Sequence, residues 1–111
     1  MTTDQHQKAS LENIVIVQEW EESERGWGTR PDGATLHLTD SDRKLYIENY
    51  WKQMPKQVPD EYSRPCLFAE PYRAIIDNDL YKEIKTSKNG ILLYKGKFDT
   101  YHQEGRIIGL R

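Results

Sequence analysis

Cysteine is nearly absent from this chain. Cys66 is the single one in 111 residues, so no intrachain disulfide can form and the fold must rest on its own core. Such usage fits a reducing compartment. Histidine is scarce as well: His6, His37 and His102 are scattered, no C-x-x-C or H-E-x-x-H accompanies them, and no metal site can be read from them. No run approaches the roughly 20 apolar residues that a membrane span requires. Residues 1–11 are polar and carry neither an apolar stretch nor an Arg-rich amphipathic pattern, so no secretion or transit signal is expected, and the chain is expected in a cytoplasm. An excess of positive charge is also missing. The formal net charge of −2 argues against a protein that coats DNA or RNA polymers, while leaving room for a local basic pocket that takes one small anion.

What is present is enough for one modest domain. Residues 1–11 show no periodicity and are expected to be a disordered tail, with a single ligand-binding domain over 12–111. Ile14-Val15-Ile16-Val17 reads as a strand buried on both faces. Three glycines and a Pro-Asp-Gly turn mark a loop over 25–33, and residues 34–39 alternate, with Ala34, Leu36 and Leu38 on one face and Thr35, His37 and Thr39 on the other. Tyr46, Ile47, Tyr50, Trp51 and Met54 fall on one face of a helix over about 41–54, capped by Thr39 or Ser41 and stopped by Pro55. A proline-bounded loop precedes an extended stretch ending at Ile76, in which Pro71 marks an edge position or a late strand start. Asp77 or Asn78 caps a second helix carrying Leu80, Tyr81 and Ile84, which Asn89-Gly90 is expected to stop. Ile91-Leu92-Leu93-Tyr94, apolar on both faces, reads as a central strand. Residues 106–111 read as a short closing strand or a contact arm. The expected class is α+β: a small antiparallel or mixed sheet with two helices, in the order β-β-α-β-α-β.

Enzyme chemistry finds little support. Cys66 and His37 lack any surrounding signature of a nucleophile–base pair, and a small buried thiol explains Cys66 as well. His37-Leu38-Thr39 is one H-x-T element where two-histidine phosphodiesterases need two, one for each proton transfer. Gly26-Trp27-Gly28 lacks the Lys-Ser/Thr of a P-loop and the third glycine of a dinucleotide fingerprint. Glu19, Glu21, Glu22 and Glu24 read as a solvated acidic rim. A binding reading has more material. Trp27, Arg30 and Asp32 lie in the glycine loop, Tyr62 and Arg64 in the proline loop, and Phe68 just beyond it. A nucleobase needs a π-face, a phosphate needs Arg or N–H donors, and a ribose needs Asp or Asn. Arg43 is out of place on the apolar face and in the first turn of its helix, where the dipole disfavours a cation. It is therefore expected to meet an anion or a partner's carboxylate, or else to snorkel.

Trp20-Glu21-Glu22-Ser23-Glu24-Arg25-Gly26-Trp27-Gly28-Thr29-Arg30-Pro31-Asp32-Gly33-Ala34-Thr35-Leu36-His37-Leu38, taken with Tyr46-Ile47-x-x-Tyr50-Trp51, Val58-Pro59-x-Glu61-Tyr62-Ser63-Arg64-Pro65 and Ser87-Lys88-Asn89-Gly90-Ile91, resembles the first-type anti-Thoeris proteins of phages over about residues 12–95. The resemblance is one of overall pattern and size. It implies a non-enzymatic sponge without cofactor, in the cytoplasm of a bacterial host cell. Such a sponge sequesters cyclic ADP-ribose isomers made by TIR proteins, assembles as a homo-oligomer from dimer to hexamer, and in some members also captures cyclic di- or trinucleotides. It further implies that Phe68 stacks on the base and that Asn78, ten residues on, hydrogen-bonds ribose or phosphate. Arg43, with Lys95 or Arg106, would form the second pocket. The rival readings are a protein-binding inhibitor of a bacterial defence enzyme, with the acidic rim mimicking nucleic acid, and a nucleotide-cleaving enzyme. On the resemblance, Phe68→Ala or Asn78→Trp abolishes nucleotide binding without unfolding the protein; unaltered binding in a calorimetric titration would show the pocket to lie elsewhere.

Overall fold

A computed structural model describes residues 8–24, 28–53 and 66–110, with side chains described over 8–21, 33–52 and 70–110. Five strands form one sheet: β1 (Ser10–Glu24), β2 (Gly28–His37), β3 (Cys66–Ile76), β4 (Ile91–Tyr94) and β5 (Ile107–Gly109), in the order β4-β2-β1-β3-β5. Every pairing is antiparallel. Three helices connect them: α1 (Asp40–Gln53), α2 (Asn78–Lys85) and α3 (Lys95–Gln103). Both the α+β class and the antiparallel sheet agree with the sequence reading. Among the described residues no helix is long and apolar enough to cross a membrane.

The alternation of β1 and β2 explains the layering. Val15 and Val17, Ala34 and Leu36, Ala74 and Ile76, and Leu93 and Ile107 gather on one face, where Leu80 and Ile84 of α2 and Phe98 of α3 close the core. On the other face the polar Gln18, Thr35 and His37 are fully buried beneath α1, whereas Ile14, in the run read as a strand buried on both faces, is 44% exposed. Trp20 and Tyr50 meet with ring centroids 5.2 Å apart, as do His37 and Tyr46. α1 begins where Thr39 caps it, its hydroxyl accepting from Asp42 N–H at 3.1 Å.

Several boundaries differ from expectation for physical reasons. β1 begins at Ser10, inside the segment read as a tail, because Ala9 N–H donates to the Gly105 carbonyl and Lys8 Nζ to that of Glu104. Strand pairing also runs through residues read as loop, with Glu21 opposite Pro31 and Glu24 opposite Gly28. Pro71 lies within β3 at a register irregularity, and β5 covers only Ala74, Ile75 and Ile76 on the outer side, so the missing N–H forfeits no ladder bond to β5. β4 is an edge strand rather than a central one, with Tyr94 66% and Leu92 39% exposed. α2 stops at Lys85, capped by Thr86, and Asn89-Gly90 forms the entry to β4 instead. α3 was not expected: Gly96 near its start and only one buried apolar residue, Phe98, hide its period.

Asp77 ties these elements together. It is fully buried; Oδ1 accepts from Leu80 N–H at 2.8 Å as the α2 cap, and Oδ2 accepts from Arg106 Nε at 2.5 Å. The Asp77 N–H donates to the Arg106 carbonyl at 3.0 Å. Burial opposes the Arg106 charge, but the Asp77 carboxylate outweighs it and holds the guanidinium pKa above its ordinary value. Asp77→Ala removes the cap and strands a half-buried guanidinium, so it should lower unfolding free energy by about 3 kcal/mol or more in urea titrations; a loss under about 1 kcal/mol would show the pair to be dispensable.

Candidate ligand-binding site

A cavity of about 270 Å³ opens between α3 and the end of the sheet nearest the β1–β2 hairpin, lined by Glu19, Trp20, Gly33, Lys95, Phe98, Asp99 and His102. Gly33 makes the junction possible. Its φ of 137° suits glycine, and a Cβ there would lie 2.3 Å from the Leu93 carbonyl and 3.1 Å from Lys95 N, pushing the start of α3 off the sheet. The 3.6-residue period then brings Lys95 beside Asp99, an ion pair with both groups about half exposed, and Phe98 beside His102, edge to face at 4.6 Å. Across the cavity, Glu19 accepts from the Tyr72 hydroxyl at 2.7 Å. Its walls thus offer one cation, two carboxylates held as acceptors, an imidazole and an apolar surface.

The histidine that opened the enzyme question, His37, is on the opposite face and is committed to structure. It is fully buried. The Asn89 carbonyl can only accept, so Nδ1 donates to it at 2.6 Å. In the neutral ring Nε2 is then the acceptor, taking the Thr35 hydroxyl at 2.8 Å, while that hydroxyl accepts from Trp20 Nε1–H at 3.0 Å. Every hydrogen in the chain Trp20–Thr35–His37–Asn89 has a single consistent direction. Burial lowers the imidazole pKa below the ordinary 6.5, and the Arg43 guanidinium adds to this, against the Asn89 carbonyl and the Asp42 and Asp40 carboxylates. No ring nitrogen is left to take a proton from a substrate.

The residues singled out from sequence are only partly brought together. Trp27, Tyr62 and Arg64 lie outside the described residues. The backbones of Arg30, Asp32 and Phe68 belong to β2 and β3 at the hairpin end. Phe68 lies opposite Glu19 on one side of β1; on the other side Arg30 lies opposite Glu22, three positions beyond Glu19, and Asp32 precedes Gly33 at the register shift. Asn78 does not share that end. Its side chain accepts from Asn13 Nδ2 at 2.8 Å, and Asn13 lies six positions before Glu19 along β1, a span of roughly 20 Å. The Phe68 and Asn78 positions of one chain therefore lie toward opposite ends of β1.

The basic trio does not converge either. Arg43 does find a carboxylate, as its odd position demanded, but an internal one: Nε donates to Asp40 at 2.7 Å and Nη1 to Gln18 at 3.0 Å. Lys95 follows β4, whereas Arg106 precedes β5 at the other edge of the sheet, four strand spacings or roughly 19 Å away. Arg106 is also held by Asp77 and stacks over the Tyr101 ring at 4.1 Å. The sequence reading missed Glu19 and His102 as site groups and Phe98 and Asp99 altogether. Their signal was the i, i+4 pairing of Lys95 with Asp99 and of Phe98 with His102.

Comparison with protein-family models, with curated proteins and with solved structures finds no match. The case for function rests on these residues and their geometry.

The His37 arrangement has a signature in solution. Below pH 6.5 the unfolded imidazole takes up a proton that the folded one resists, so stability is complete above that value. It is lost as pH falls from there toward the lowered folded pKa. Urea midpoints measured between about pH 7.5 and 5 should fall with acidification, and less steeply in His37→Gln, where no imidazole must charge; an equal slope in both proteins would show that His37 protonates freely in the fold.

Proposed function

We propose that this chain binds a cyclic nucleotide signal, a cyclic ADP-ribose isomer, and sequesters it without cleaving it, blocking TIR-driven immune signalling in the cytoplasm of a phage-infected bacterial cell. The observation that carries this reading is the cavity under α3. Lys95 suits a phosphate, Glu19 and Asp99 suit ribose hydroxyls, and Phe98 supplies an apolar wall for a base. Arg30, Asp32 and Phe68, on strands that run past the same end, fit the same ligand class.

Retention rather than turnover is supported by how the proton-handling groups are engaged. His37 is sealed beneath α1, the Glu19 carboxylate accepts from Tyr72, and Asp99 is paired with Lys95. Acid–base cleavage needs a base and an acid placed on either side of the scissile bond; these three groups are already engaged, which leaves His102, edge to face on Phe98, as the imidazole at the cavity. At about 270 Å³ the cavity is smaller than the ~300–1,000 Å³ of sites that bury most of a ligand. A homo-oligomer is part of the proposal, with a second copy completing the enclosure. In such an assembly Phe68 and Asn78 of different copies can serve one ligand although those of one chain lie toward opposite ends of β1.

The experiment mixes purified protein with cyclic ADP-ribose isomers and, separately, with cyclic di- and trinucleotides. Free ligand is removed, the protein is heated, and the released material is identified by chromatography. Intact cyclic ADP-ribose isomer freed only by heating is expected, with retention reduced in Lys95→Glu. Degraded nucleotide would make the protein an enzyme, and no retained nucleotide would favour an inhibitor that binds a defence protein.

A further inference from the structure

The face covered by α1 has an opening of its own. Tyr46, Asn49 and Tyr50 recur at i, i+3 and i+4 on α1 and, with Lys88 from the turn before β4, line a cleft of about 260 Å³. The two walls are fixed to one buried layer. On the helix side, Tyr46 packs edge-on against His37 and Tyr50 against Trp20. On the turn side, the Asn89 carbonyl accepts from His37 Nδ1, the Ser87 hydroxyl donates to the Ile84 carbonyl at 2.6 Å, and that hydroxyl accepts from Gly90 N–H at 3.0 Å. Two successive residues, Asn89 at φ 71° and Gly90 at φ 141°, hold left-handed conformations, and a Cβ on Gly90 would lie 2.4 Å from His37 Nδ1. Such backbone persists where the surroundings over-determine it, and it is found at ligand clamps. Here its effect is to hold Lys88 at the rim of a cleft with two phenol walls.

We propose that this cleft is a second ligand site, separate from the cavity under α3, and that it takes one planar heteroaromatic base carrying an anionic phosphate, the chemistry of a nucleoside monophosphate. The tyrosine rings give the base a surface to stack on. The Asn49 amide supplies one donor group and one acceptor, as the edge of a heteroaromatic ring requires. Lys88 meets the phosphate as a point charge. At about 260 Å³ the cleft matches a single base better than a cyclic dinucleotide.

The test titrates the isotope-labelled full chain with adenosine monophosphate, adenosine and inorganic phosphate, following backbone amides by NMR. Adenosine monophosphate should move the amides of residues 46–50 and 87–90 together, and adenosine should move the same set at higher concentration. Lys88→Glu, on an exposed side chain, should weaken adenosine monophosphate by about tenfold or more and leave adenosine unchanged. Asn49→Leu should weaken both, and Lys95→Glu neither, which separates this site from the α3 cavity. Shifts confined to residues 95–102, no shifts at any of these residues, or a Lys88→Glu variant that binds adenosine monophosphate like the parent would each overturn the proposal. A response to inorganic phosphate without one to adenosine would reduce the cleft to an anion patch and overturn it as well.

Discussion

Asp77 has no exposed surface, and its two carboxylate oxygens are divided between the α2 cap and the Arg106 guanidinium. A buried carboxylate left without either partner would cost several kcal/mol, so both must be satisfied in the same fold. The consequence reaches well beyond the junction. Arg106 leads into β5, and α3 runs from the end of β4 at one edge of the sheet to β5 at the other. Where α3 lies across the sheet is therefore set at two points: at its start by Gly33, which admits it flush against β2, and beyond its end by the Asp77–Arg106 pair. The cavity that α3 walls is a product of those two anchors.

The two faces of the sheet solve different problems. Beneath α2 and α3 the residues are aliphatic and the stabilisation is non-directional burial, which tolerates repacking. Beneath α1 the layer is Gln18, Trp20, Thr35 and His37, each with a directed hydrogen bond. That arrangement gains little net energy over an apolar layer, but it tolerates only one register of α1 over β1 and β2. Sliding the helix would unpair Arg43 from Gln18 and part Tyr46 from His37.

Much of the frame was legible in the sequence because local rules agreed with the tertiary outcome. The alternation at residues 34–37, the α1 face built on Tyr46 and Tyr50, and the Asp77 cap all follow from period and capping chemistry. The failures occurred where a local signal served a non-local purpose. Asn89-Gly90 has the chemistry of a helix stop, yet its left-handed backbone makes room for His37, 52 residues earlier. Ile91-Leu92-Leu93-Tyr94 looks central because apolar residues fall on both sides, but only Leu93 is buried, and Tyr94 is largely open. For the site, Arg43 was visible as an anomaly and Asp40 lies within the local i, i+3 pattern, but Gln18, 25 positions away, was not visible. Residues 95–103 were opaque because a glycine at the second position of a nine-residue helix outweighs the short i, i+4 pattern that identifies it.

Trp20 bears on the proposed retention of a ligand. It is 4% exposed, packs on Tyr50 beneath α1, donates to Thr35, and also lines the cavity under α3. The residue thus borders both openings, with its indole on the α1 side, and the elements around them are strands and helices. Groups carried on such elements lose little further freedom when a ligand arrives, which lowers the entropy cost of binding. Turnover would call for a different economy, with an acid and a base free to exchange protons as charge develops in the transition state. In this chain the buried imidazole is locked in one tautomer and the cavity carboxylates are already engaged, which supports the proposed retention of a ligand.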